Sequence, residues 1–128
     1  VNEHRPVLAV ARVRELLDDG GPAPGTLRVL VDRLWPRGIA RTRLVLDEWA
    51  KDLAPSTELR RDFHHGELGF EAFAERYRAE LAASPAPAAF LERAAEAGAD
   101  RIELVYAARD AEHNHALVLR DHLLTLTS

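Results

Sequence analysis

Residues 27–34, Leu-Arg-Val-Leu-Val-Asp-Arg-Leu, limit the fold of this chain more than any other stretch. The run opens apolar and rich in β-branched residues, and it does not alternate cleanly with polar ones. That pattern reads as a strand buried on both faces, the condition of a strand inside an α/β sheet. The run breaks at Trp35-Pro36-Arg37-Gly38, where proline and glycine together mark a turn. Asp32, Arg33, Trp35 and Arg37 are thereby set at the strand's carboxyl end and in the loop behind it. Open α/β sheets bind their ligands at such strand ends.

The rest of the chain must supply neighbours for that strand. Residues 7–13 predict a first strand. Residues 14–26 hold Asp18-Asp19-Gly20-Gly21-Pro22 and Pro24-Gly25, turn chemistry that allows at most a turn of helix. A connection of that length suits either a wide hairpin or a loose crossover, so the relative direction of the first two strands stays open. Leu46, Trp49 and Leu53 recur at helical spacing and predict a helix over 44–53 with Trp49 in the core, stopped by Pro55. Ser56 then caps a helix over 57–64, with Glu58 at its positive end and His64-His65-Gly66 as its stop.

Phe70, Phe73, Tyr77 and Leu81 make one apolar stripe, predicting a helix over 70–83. Ser84-Pro85 starts a fourth helix, which carries Phe90 and Ala94 and stops at Gly98. Residues 101–108 form the last strand. Asp110 caps a final helix over 111–125, with Ala116, Leu119, Leu123 and Leu126 marking its buried face. Helices between strands 27–34 and 101–108 make those strands parallel, joined by a right-handed crossover. The expected fold is α/β: a single small domain spanning residues 1–128, with a short, mainly parallel three-stranded sheet and helices packed on it.

Composition narrows the chemistry. An apolar share of 47% supports a real core. No run of about 18 apolar residues is present, and no charged-then-apolar leader, so no membrane partner and a cytoplasmic location are expected. The chain has no cysteine, which excludes disulfides, thiolate metal sites and cysteine nucleophiles. Its net charge of −4 argues against a broad nucleic-acid footprint. Against that acidic background, Arg33, Arg37, Arg41 and Arg43 fall close together. Arginine forks suit phosphate and carboxylate.

Both long parallel strands end in the same kind of sequence: Asp32-Arg33 in one, Arg109-Asp110 followed by Glu112, His113 and Asn114 in the other. If the strands are neighbours, these ends converge on one sheet edge, as an ion-pair network or as a grip for an anion. The N-terminus of the last helix adds free N–H groups as an anion seat, and His113 in its first turn suits acid–base work. Trp35 either walls a pocket or plugs the core. There is no Gly-x-Ser-x-Gly elbow, no glycine-rich phosphate loop and no His-Glu-x-x-His helix, and His113 and His115 are expected on different helix faces. Neither a metal nor a cofactor is expected.

Val29 to Gly38 resembles the signature of the YeaO-like proteins, a branch of domain-of-unknown-function family 488. The resemblance continues through Asp47 to Lys51, Ala54-Pro55-Ser56, Leu59-Arg60 and Phe63-His64. It closes with Leu104 to Asp110 and Glu112-His113-Asn114, so it spans nearly the whole chain. One departure is Arg109, where the family usually has lysine. The resemblance implies a small α/β domain without an established activity. The family motif falls on Asp32, Arg33, Trp35, Pro36, Arg37 and Gly38, on Trp49, Lys51, Pro55, Ser56 and Arg60, and on Asp110, His113 and Asn114. The wider family's strand end looks like that of rhodanese-type sulfurtransferases, but persulfide transfer needs the cysteine this chain lacks.

These readings converge on a pocket at the carboxyl edge of the sheet that binds a small anionic molecule bearing phosphate or carboxylate. Asp32, Asp110 and His113 are the catalytic candidates. Arg33, Trp35, Arg37, Lys51, Ser56, Arg109 and Asn114 are the ligand-binding candidates. A nucleic-acid accessory module, less favoured, and a non-enzymatic interaction domain are the alternatives. Oligomeric state and the choice between enzyme and binder are left open.

Overall fold

The computed structural model describes residues 5–127. Its strands are β1 (Val7–Arg12), β2 (Thr26–Leu30), β3 (Glu48–Trp49) and β4 (Arg101–Tyr106). They form one sheet in the order β1-β4-β2-β3, and every neighbouring pair is parallel. The helices are α1 (Val13–Leu16), α2 (Thr57–His64), α3 (Phe70–Ala82), α4 (Ala86–Glu96) and α5 (His115–Thr127). The direction left open by the sequence is thus parallel: β1 and β2 flank β4, joined by one turn of helix and a loop.

The sheet has four strands, not the three expected. The added strand comes from the segment predicted as a helix over 44–53. Its apolar spacing is helical, but the outer edge of β2 offers unpaired backbone groups that need partners. The segment supplies them. Asp47 N–H donates to Arg28 O and Ala50 N–H to Leu30 O, each at 2.9 Å, and the Asp47 carboxylate accepts the Arg28 N–H at 2.8 Å. Single turns of 3₁₀ helix at Arg41–Arg43 and Lys51–Leu53 flank the pairing. A tertiary demand here overrides local periodicity, and Trp49 ends half-buried instead of in the core.

Three boundaries also move. β2 ends at Leu30, although Val31 N–H still donates to Val105 O at 3.0 Å. The 101–108 strand stops at Tyr106. The last helix begins at His115 instead of residue 111, because Asn114 provides its cap: Asn114 Oδ1 accepts the Leu117 N–H at 3.1 Å. Asp110 instead closes the turn before it, accepting the Glu112 and His113 N–H groups at 2.9 and 3.0 Å. Leu126, expected on the buried face, is exposed.

The double burial read from the central run holds: Val29, Leu30 and Val31 are all fully buried. Strand alternation sends Val29, Val31, Ile102 and Leu104 to one face, where they meet Leu59, Phe73, Tyr77, Phe90, Leu119 and Leu123 of α2 to α5. Full burial of each such side chain contributes about 1.5–3 kcal/mol. Leu30 and Val105 point to the other face, which is covered by Val13 and Leu16 of α1 and by Leu44, Trp35 and Trp49. On that second face Arg28 stands in register opposite Glu103. Helices α2 to α5 therefore cover one side, and the short α1 with loops covers the other.

Candidate functional site

β2 and β4 are hydrogen-bonded neighbours, so the loops after them emerge side by side. Between these loops and α2 lies a cleft of about 340 Å³. The β2 loop contributes Asp32, Arg33, Leu34, Trp35 and Arg37, and the β4 loop contributes Ala107, Ala108, His113 and Asn114. Pro55, Arg60, Phe63 and His64 form the facing wall, with Phe73 of α3 and His115 of α5 behind. The two strand ends do converge on one sheet edge.

The β2 loop is held rigidly. Asp32 Oδ2 accepts the Ala107 N–H at 3.1 Å, tying one strand end to the other. Asp32 Oδ1 lies 3.0 Å from His115 Nε2, which is also 3.0 Å from the Val31 carbonyl. Both neighbours of that nitrogen are acceptors, so it carries the proton. The Trp49 indole N–H donates to Asp32 O at 2.7 Å, and Arg33 Nε donates to Pro55 O at 3.0 Å. Trp35 walls the cleft while its indole N–H donates to Ile39 O at 2.7 Å. Ile39 N–H in turn closes a four-residue turn on Pro36 O at 3.3 Å. Gly38 sits third in that turn with φ +77°, the type II geometry that favours glycine.

Charge in the cleft is uneven. Asp32 is the one carboxylate in its lining, against Arg33, Arg37 and Arg60. Among the described residues none of these three arginines has a carboxylate within ion-pair distance. Burial, and next the nearby Arg60, hold the His64 imidazole below its ordinary pKa, so it is neutral at pH 7 and can donate or accept. His113 Nδ1 lies 3.1 Å from Asp110 Oδ2, an arrangement that fixes the ring. The Asp110 carboxyl itself is held below the usual carboxylate range, first by the Glu112 N–H and then by His113.

Of the ten residues singled out from the sequence, Asp32, Arg33, Trp35, Arg37, His113 and Asn114 line the cleft. Asp110 stands behind His113. Lys51, Ser56 and Arg109 are outside the lining. Lys51 Nζ instead sits 4.1 Å above the Trp49 ring. Ser56 caps α2 through the Leu59 N–H and bonds Glu80 with both its hydroxyl and its backbone N–H. Arg109 is exposed. At the start of the last helix Asn114 Oδ1 takes the Leu117 N–H, while Asp110 takes the Glu112 and His113 N–H groups of the turn before it. His113 and His115 both face the cleft, because the helix starts only at His115 and the earlier residues belong to a turn.

The candidate list omitted Arg60, Phe63, His64, Phe73 and His115. Arg60, Phe63 and His64 stand at i, i+3 and i+4, so one face of α2 presents all three. That spacing was the available signal. Among the described residues no three of His, Cys, Asp or Glu are grouped to hold a metal ion, and no helix is long and apolar enough to cross a membrane.

A family model described as the inactive DUF488-N3 subclade matches residues 9–128. The chain belongs to this DUF488-N3i family. Its relatives include the protein named "Uncharacterized protein YeaO" of Escherichia coli K12, 48% identical over 99 residues, covering 77% of this chain and 84% of the relative. "Uncharacterized protein Rv3073c" of Mycobacterium tuberculosis H37Rv and "Uncharacterized protein Mb3100c" of Mycobacterium bovis are each 42% identical over 108 residues, 84% of this chain and 88% of the relative. No solved structure matches the chain significantly. The DUF488-N3i match takes in the loops after β2 and β4 and all of α2, and so every residue of the cleft.

Proposed function

We propose that the cleft binds a small molecule bearing phosphate or carboxylate, and that its task is binding instead of turnover. One observation carries the reading: three guanidiniums without carboxylate partners among the described residues face one cleft in a chain of net charge −4. Arg33 gives its Nε to the Pro55 carbonyl, and arginine forks without a carboxylate partner are available to an external anion. One Asp32 oxygen holds the Ala107 N–H and ties the strand ends together, while the other lies 3.0 Å from His115 Nε2 without accepting a hydrogen bond among the described residues. The family description, an inactive subclade, agrees with binding.

A thermal-shift screen against phosphates, sugar phosphates, nucleotides and small carboxylates, run on the wild type and on Arg37→Ala, tests this. Arg37 is exposed and makes no ion pair that folding needs. The expected result is a ligand that raises the melting temperature of the wild type and not of the variant. At about one hundred times its Kd, such a ligand stabilises by about 2.7 kcal/mol. A flat screen, or shifts equal in both proteins, removes the basis of the proposal.

A further inference from the structure

The cleft's charge and shape together specify more than an anion. Its guanidiniums outnumber its carboxylates by two, and His64 adds a neutral donor beside them. A single small head group that carries about two negative charges and three acceptor oxygens is a phosphomonoester. A simple carboxylate or a phosphodiester brings one charge. The other half of the lining is apolar: Leu34, Trp35, Pro55, Phe63 and Phe73. Phe63 and Phe73 stack at 4.4 Å between ring centroids, and Trp35 stands edge-on to Trp49 at 5.5 Å. Leu34 is 56% exposed although it belongs to this wall, so the wall's outer part is open to a ligand.

Resting on the anion-binding reading above, we infer that the ligand is an aromatic phosphomonoester, its dianionic head on Arg33, Arg37 and Arg60 and its ring on the apolar wall. Inorganic phosphate fills only the head site. A nucleic-acid backbone, which is a phosphodiester, under-neutralises the arginines.

Titration calorimetry at pH 8, with the full chain, separates these cases. The probes are phenyl phosphate, inorganic phosphate, methyl phenyl phosphate, benzoate and phthalate. Phenyl phosphate is expected to bind at least about tenfold more tightly than each of the others, since only it offers both the dianionic head and a ring to bury. Leu34→Ser is expected to weaken phenyl phosphate several-fold and leave inorganic phosphate unchanged, whereas Arg37→Ala is expected to weaken both. Leu34 is exposed enough for that variant to fold, and the comparison of probes on the wild type needs no variant. Equal affinity for phenyl phosphate and inorganic phosphate would overturn the aromatic body. Equal affinity for the diester or for phthalate would overturn the phosphomonoester head. Either result leaves anion binding intact, so only this inference fails. Absence of binding by every probe would overturn this inference together with the reading beneath it.

Discussion

Arg28 and Arg37 lie nine positions apart, one within β2 and one in the loop that follows it, and they show two opposite uses of the same side chain. Arg28 is 3% exposed and fully engaged. Its Nη1 and Nη2 fork onto Asp19 at 3.0 and 2.9 Å, and its Nε donates to Glu103 at 2.9 Å. Arg37 is exposed, with no carboxylate near it among the described residues, and its charge faces a cleft it shares with Arg33 and Arg60. Charge satisfied inside the fold maintains the fold, and charge left unsatisfied at its edge is available to a ligand. Arginine content alone could not separate the two. The difference lies in where Asp19 and Glu103 are delivered.

Four substitutions break or sharpen that contrast. Arg28→Met should have the largest effect. It leaves the partly buried Glu103 and Asp19 without their cation, and removal of one member of such a network costs on the order of 3 kcal/mol. Urea unfolding measures this, and a loss under about 1 kcal/mol would place Arg28 with the surface arginines. The pH dependence has a definite sign. The hydrogen bonds from Arg28 hold the Asp19 carboxyl below its ordinary value. That stabilisation is complete above about pH 4 and is lost as the pH falls through the folded value. Arg28→Met should flatten this acid limb.

Asp32→Ala comes next. It leaves the Ala107 N–H without its acceptor at the junction of the two strand ends, a loss of about 1–3 kcal/mol. If Asp32 is the tie the geometry describes, phosphate binding per folded molecule survives the change. Loss of binding at unchanged stability would return Asp32 to the ligand site. Ser56→Ala removes a helix cap and should cost about 1 kcal/mol, with no change in ligand response, because Ser56 lies outside the cleft. Arg37→Ala should be the smallest in stability, within about 0.5 kcal/mol of wild type, yet the largest in binding. A melting temperature several degrees lower would show that Arg37 belongs with Arg28 after all.

Much of this architecture was legible in the sequence because burial leaves a pattern. The β-branched, apolar-rich run Leu27–Val31, the stripe of Phe73, Tyr77 and Leu81, and the cap at Ser56 each led to the right element in the right place. Segment 44–53 misled because its helical spacing is real, but the outer edge of β2, a neighbour nineteen residues upstream, decides its conformation. Asn114 was missed as the cap of α5 because Asp110 is an equally good capping residue and comes first. In the site, the residues on the two strand ends were legible as motifs. Arg60, Phe63 and His64 fall within the family resemblance too, but they were not assigned to the site, since nothing local shows that this face of α2 turns toward those ends. Lys51 and Arg109 show the converse: a cation in a motif says nothing about direction.

The strand order has a consequence for how the chain must assemble. β4 pairs with β1 on one side and β2 on the other, with Val7 beside Arg101 and Leu30 beside Val105. Of the four described strands, the one that separates β1 from β2 is therefore the last to leave the ribosome. Until it arrives, β1 and β2 have no strand between them, and the edge of β2 that pairs with β4 lacks its hydrogen-bond partners. Pairings between such distant residues close late and make folding slow. A nascent chain stalled before residue 101 would present sticky, unpaired strands to the chaperones of the cell, whereas one that has also released α5 can complete both layers.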